Sequence, residues 1–124
     1  MRILLVDENQ RTRELYRALL ADAGHSVAAT DSYPQATELL SSRRFDLVVA
    51  EIQGSEGDQG HFARILQRKQ GMPIILHTAW PGSVRSRLDR LAAIRMEKRT
   101  DFRPLLQLVD AYSAWPEAAK GRTA

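Results

Sequence analysis

A chain of 124 residues has room for one domain with a two- or three-layer core and none for a second. Its 44% apolar content and 27% charge are those of a soluble globular protein, and no apolar run nears the length of a bilayer span. The lack of cysteine excludes disulfides, thiolate nucleophiles and sulfur-ligated zinc, and the three scattered histidines have no metal-binding spacing.

The amino terminus, MRILLVDEN, has one basic residue and an apolar run broken by Asp7 and Glu8. That is not the layout of a secretory signal, so a cytoplasmic location is expected. Ile3 to Val6 reads as a short strand buried on both faces. A helix follows, with Leu15, Leu19, Leu20 and Ala23 on its apolar face and Gly24 as a left-handed stop. Ser26 to Thr30 is a weaker second strand, and Ser32 caps a helix whose first turn accommodates Pro34 and whose inner face is Ala36, Leu39 and Leu40. Phe45 to Ala50 is the third and most apolar strand. After a loop from Gln53 to Gly60, a third helix presents Phe62, Ile65 and Leu66, and Pro73 introduces a fourth strand, Ile74 to His77. Residues 83 to 92 form a short helix, Ala93 to Met96 a weak fifth strand, and Leu105, Leu108, Val109 and Tyr112 the inner face of a last helix. The domain is expected to occupy residues 1–114, with 115–124 as a flexible tail.

Strands alternating with helices imply a parallel sheet with helices on both faces and right-handed crossovers. In such doubly wound sheets the functional groups gather at the carboxyl ends of the strands. Asp7, Glu8, Glu51 and Thr78 all fall at that edge. A glycine-rich phosphate loop after the first strand is missing, which argues against a nucleotide-binding domain. His25, His61 and His77 read as packed or surface histidines with no assigned chemistry.

Taken together, ILLVDEN, FDLVVAEI, PIILHTA and Lys98 at the end of the fifth strand resemble the receiver domain of two-component response regulators. The resemblance runs from Met1 to about Tyr112. It implies a flavodoxin-like, doubly wound five-stranded parallel sheet of order 2-1-3-4-5. It also implies an acidic pair after strand one (Asp7, Glu8), a phosphoryl-accepting position after strand three (Glu51), a hydroxyl after strand four (Thr78) and a lysine after strand five (Lys98). In the family the clustered carboxylates hold magnesium, which offsets charge developing on the transferring phosphoryl group. The candidate metal ligands here are Asp7, Glu8 and Glu51, and Gln53 would supply only a backbone carbonyl.

Four positions depart from the family pattern. Glu51 replaces the accepting aspartate and lengthens the arm by roughly 1.5 Å, and Glu8 replaces the main metal-binding aspartate. Arg95 stands at the usual switch aromatic, and Arg99 follows the lysine in place of proline. Magnesium demands near-ideal octahedral geometry, so two enlarged ligands imply a weak site, and no cofactor is expected to be required.

The expected function is therefore an atypical, phosphorylation-independent single-domain response regulator. It would act as a protein-interaction module rather than an enzyme, with no catalytic residue expected and Glu51 as a built-in negative group set against Lys98 and Thr78. The alternative is an active receiver that catalyses its own phosphotransfer from a histidine kinase, using Glu51, Asp58 or another acid. Expected partners are signalling proteins, a histidine kinase or an output protein, with homodimerisation through the face made by residues 83 to 92, the fifth strand and the last helix. Arg85, Arg87, Arg90, Arg95, Lys98, Arg99 and Arg103 crowd that stretch and would favour an acidic partner. Scattered acids interrupt the run, and no helix-turn-helix follows, so nucleic acid is not an expected partner.

Overall fold

The structure, a computed structural model, describes residues 1–51, 56–69, 72–78, 94–97 and 102–114. Strands β1 (Arg2–Val6), β2 (Ser26–Thr30), β3 (Leu47–Ala50), β4 (Ile74–Thr78) and β5 (Ile94–Glu97) form one parallel sheet in the order β2-β1-β3-β4-β5. Helices α1 (Gln10–Asp22), α2 (Tyr33–Ser42), α3 (Glu56–Gln67) and α4 (Arg103–Ser113) complete the described elements. The expected flavodoxin-like fold and strand order are both present. The helix expected over 83–92 and the tail expected over 115–124 lie outside the described residues, as do Gln53, Lys98 and Arg99.

Side-chain alternation along the central strands divides the core into two layers. Leu4, Val6, Val48, Ala50, Ile74 and Leu76 pack with Tyr33, Ala36 and Leu40 of α2 and Phe62, Ala63 and Leu66 of α3. Ile3, Leu5, Leu47, Val49 and Ile75 pack on the other face with Tyr16 and Leu20 of α1 and Leu105 and Val109 of α4. Every residue of β3 is buried, as an unbroken apolar strand between two helical layers requires.

Three expectations are corrected. The buried stripe of α1 is Tyr16 and Leu20, while Leu15 is 38% exposed and Ala23 is exposed. The phase is set by the tyrosine ring, which buries more area than a leucine and can keep its hydroxyl near a polar edge. Secondly, α3 begins at Glu56, inside the stretch expected to be loop up to Gly60. The glycines there lower helix propensity without preventing a helix whose Phe62 and Leu66 are anchored in the core. Thirdly, β3 starts at Leu47 rather than Phe45, β4 runs on to Thr78, and β5 is shifted by one residue to Ile94–Glu97.

The helix ends follow the expected chemistry. Ser32 accepts a bond from the Gln35 N–H at 3.4 Å as the α2 cap, and Asn9 caps α1 through the Thr12 N–H at 2.9 Å. Gly24 has φ +98°, and the N–H groups of Gly24 and His25 reach back to the carbonyls of Ala21 and Leu20, the two bonds of a Schellman motif. A Cβ there meets open space, so Gly24→Ala isolates the backbone cost. It is expected to lower stability by about 1–2 kcal/mol, measured by urea denaturation.

Candidate functional site at the carboxyl edge of the sheet

The register places the acids side by side. Val6 pairs with Ala50, and Ala50 with Leu76, so Asp7, Glu51 and His77 are the next row across β1, β3 and β4. Adjacent strands of a sheet are about 4.8 Å apart, which makes Asp7 and Glu51, level on β1 and β3, close neighbours. The ladder continues into this row, because the Glu51 N–H donates to the Val6 carbonyl at 3.0 Å and the Asp7 N–H to the Thr30 carbonyl at 3.0 Å.

Each acid is held differently. Asp7 is 2% exposed, and its Oδ1 accepts the Asn9 N–H at 2.9 Å, which tightens the turn into α1. Arg13 braces the same turn by donating to the carbonyls of Asp7 at 2.9 Å and Glu8 at 3.4 Å. Glu8 is exposed and Glu51 half-buried. The Glu51 carbonyl accepts the Tyr33 hydroxyl, so the residue at the expected acceptor position is pinned through both its N–H and its C=O. Tyr33 in turn rests against Phe62 of α3, with centroids 5.2 Å apart. Burial, and then the Glu51 carboxylate, push the Tyr33 hydroxyl well above the ordinary tyrosine range.

A second buried tyrosine meets the row from α1. The Tyr16 hydroxyl lies 3.4 Å from His77 Nε2, and its ring meets the imidazole at 5.1 Å and Phe102 edge-on at 4.9 Å. Burial raises its ionisation above the ordinary range, with Asp7 and then Glu51 adding to the effect.

Of the expected site residues, the structure therefore brings together Asp7 and Glu51 and leaves Glu8 facing solvent. Thr78 ends β4 one residue beyond the row, and Lys98 lies outside the described residues. Asp58 is exposed in the first turns of α3 rather than at a strand end. Among the described residues no three of His, Cys, Asp and Glu form a group that could hold a metal ion. Asp7 and Glu51 are the described acids that share this row, and Glu8 beside them is exposed.

Sequence reasoning did not place Tyr33 or Tyr16 at this edge, while His77, read as a packed or surface histidine, is buried. The available signal was His77 itself, a polar residue closing the apolar run IIL in a strand buried on both faces. His25 is also buried, at the opposite edge, between the Met1 amino group at 3.1 Å and Asp110 Oδ1 at 3.2 Å, and it ties the start of β2 to α4. His61 is exposed. No helix among the described residues is long and apolar enough to cross a membrane.

A 2-1-3-4-5 parallel sheet with acids at the carboxyl ends of β1 and β3 defines an α/β domain of the flavodoxin-like type. The family model for the response regulator receiver domain matches residues 3–109, and the chain belongs to that family, whose members serve two-component signalling. PetR of Rhodobacter capsulatus is 34% identical over 91 residues, covering 73% of this chain and 38% of PetR. The response regulator FleR of Pseudomonas aeruginosa is 31% identical over 113 residues, covering 87% of this chain and 24% of FleR. This chain thus spans well under half the length of either relative. The crystal structure of the response regulator TrrA from Thermotoga maritima, in complex with Mg2+ and BeF, superposes with a TM-score of 0.74 at 28% identity, covering 89% of this chain and 96% of TrrA. TrrA has also been crystallised in complex with the histidine kinase ThkA, and that copy matches at 26% identity with the same TM-score.

Proposed function

We propose that this receiver works as a protein-interaction module whose signalling does not depend on phosphorylation at the acceptor position. The observation that carries the reading is Glu51. Its backbone is fixed at the end of β3 by Val6 and Tyr33, so its side chain starts where the family's aspartate starts and reaches one carbon further. An in-line attack at phosphorus is intolerant of displacements of about 1 Å, which cost on the order of a hundredfold in rate. The longer arm instead places a permanent carboxylate toward the space a phosphoryl group fills. It brings one charge where a phosphoryl group brings nearly two.

Incubation with acetyl phosphate and magnesium tests this directly. Intact-mass spectrometry is expected to show no acylphosphate under conditions that label an ordinary receiver. A hydroxylamine-labile gain of one phosphate would replace this reading with that of an active, self-phosphorylating receiver. Magnesium itself is expected to bind only in the millimolar range or weaker, because two longer arms, Glu8 and Glu51, must fit a small rigid octahedral shell. Isothermal titration giving micromolar affinity would overturn that expectation.

The partner class follows from the family. The TrrA–ThkA complex supports a histidine kinase, and an output protein is the other candidate. The basic stretch that ends with Arg103, exposed at the start of α4, suits an acidic partner, and a homodimer would use the face of residues 83 to 92, β5 and α4. Charge at such a face governs encounter rate and salt sensitivity more than final affinity.

A further inference from the structure

The two helices that share one face of the sheet both end in cations. The chain passes from α2 into β3 and from α3 into β4, so both helices finish at the amino ends of adjacent strands, opposite the Asp7–Glu51 row. Arg43 closes α2, its N–H bonded to the Leu39 carbonyl at 2.9 Å, and Arg44 follows it. Arg64 lies in the last turn of α3, and the N–H groups of Arg68 and Lys69 reach back to the carbonyls of Ile65 at 3.2 Å and Leu66 at 3.0 Å. The four arginines are exposed and Lys69 is half-buried. At the same edge the Val48 N–H donates to the Pro73 carbonyl at 3.1 Å, which ties the two stretches together.

Five cations exceed what two helix ends call for. A single cation near a carboxyl terminus complements the helix dipole, and the effect fades beyond the last turn. Adjacent pairs such as Arg43–Arg44 and Arg68–Lys69 add mutual repulsion for little further gain. The acids nearest these ends are Asp46, which accepts the Arg2 N–H at 2.8 Å, and the exposed Glu38, a turn before the end of α2. Among the described residues, none of the five cationic side chains forms a hydrogen bond or an ion pair. The fold therefore carries a concentrated positive charge at this edge that its own described acids do not neutralise.

We propose that the neighbouring ends of α2 and α3 form a docking surface for a carboxylate-rich protein segment, separate from the carboxyl edge of the sheet and from the α4 and β5 face. Arginine supplies four of the five charges, and its planar guanidinium takes a carboxylate through two parallel N–H bonds. Met72 and Pro73, half-buried at the same edge, add apolar surface for the side chains of such a segment. Phosphates also pair with arginine, but the surface lacks the other parts of a nucleic-acid site. Single strands gain much of their affinity by stacking bases on aromatic rings, and every described Phe and Tyr is buried or half-buried. A duplex is read by an element laid in its groove, whereas these cations sit at the tips of two helices. Because the surface lies at the opposite end of the strands from Glu51, docking here does not depend on whether that residue ever accepts a phosphoryl group.

A fluorescein-labelled oligoglutamate peptide serves as the probe, with anisotropy reading affinity at low and raised salt and 15N amide spectra locating the contact. The wild type is expected to bind it, more weakly as salt rises, with shifts in the amides of residues 43–46 and 67–69. Arg44→Glu/Arg68→Glu reverses one charge at each helix end and is expected to weaken binding about tenfold or more, whereas Arg11→Glu/Arg17→Glu, the same change in net charge at exposed positions of α1, should stay within about threefold of the wild type. Arg44→Gln/Arg68→Gln removes the charges without reversing them and should fall between the wild type and the reversed variant, which keeps the test open if reversal costs the fold. A loss no greater in the α2–α3 variants than in the α1 variant overturns the proposal, because binding then follows net charge alone. Failure of the wild type to bind at low salt overturns it too, as do amide shifts confined to other residues. Tighter binding of a labelled oligothymidylate of equal length, lost in the same α2–α3 variants, would assign the surface to nucleic acid instead.

Discussion

Raising the pH above about 10 is expected to remove folding stability through Tyr16 and Tyr33. Both are buried, at 1% and 2% exposure, and both hydroxyls are pushed above their ordinary value, by burial first and then by neighbouring carboxylates. In the unfolded chain a tyrosine loses its proton near pH 10, whereas the folded protein holds these two neutral beyond that point. Above pH 10 the unfolded state thus binds fewer protons than the native state, and stability falls with rising pH. The slope is about 1.4 kcal/mol per pH unit for each tyrosine, so two of them remove about 2.7 kcal/mol per unit until the folded values are reached. A small domain has roughly 5–15 kcal/mol in total, so a loss at this slope is readily measured. Below pH 10 the contribution is fully present. Urea denaturation at a series of alkaline pH values measures the slope, and the double variant Tyr16→Phe/Tyr33→Phe should flatten it. An identical slope in that variant would show that lysine or backbone effects dominate instead. At neutral pH the double variant should lose about 1–3 kcal/mol, because it removes the Glu51 carbonyl's donor and the polar contact to His77.

Those tyrosines mark the boundary of what the sequence discloses. Two-sided burial was legible because the runs ILLV, LVVA and IIL are apolar, short and separated by helical spacing, whereas the strand order came from the resemblance to the receiver family. The caps were legible because Ser32 and Gly24 act on their own local backbone. Asp7, Glu51 and Thr78 were placed at the edge by counting along strands, which the register bears out. What stayed hidden was orientation. Leu15 and Tyr16 are adjacent, and a hydrophobicity pattern favours the leucine. Only the helix phase against the sheet reveals that Tyr16 goes inward and Leu15 outward. Likewise, nothing local says that Tyr33 reaches a carbonyl across the fold or that His77 stands level with Glu51. These are contacts between residues distant in sequence, and propensity and periodicity carry no information about them.

The Glu51→Asp variant is expected to remain poorly phosphorylated, and the Glu8→Asp/Glu51→Asp double variant to label on the order of a hundredfold faster than the single one. Shortening Glu51 by one carbon withdraws its carboxylate by roughly 1.5 Å and returns a nucleophile of the family's length to a backbone already held by Val6 and Tyr33. That alone does not supply the counter-charge a phosphoryl group needs as bonds change at phosphorus. Asp7 has one oxygen accepting the Asn9 N–H, and position 8 keeps the longer glutamate arm, so the single variant still lacks a second short acid beside the row. Aspartate at position 8 has fewer rotatable bonds and a shorter reach, and it can stay near Asp7 at less entropic cost than glutamate. Acetyl phosphate labelling followed by intact mass measures both variants against the wild type, with magnesium titrated in each. If Glu51→Asp labels as fast as the double variant, the acceptor length alone silences the site and Glu8 is irrelevant to it. If neither labels while both remain folded, the block lies in residues 95, 98 or 99, where arginines replace the family's aromatic and proline and flank the lysine. In every case Tyr33 should stay bonded to the carbonyl of residue 51, because that bond is made by the backbone and is indifferent to which acid the position carries.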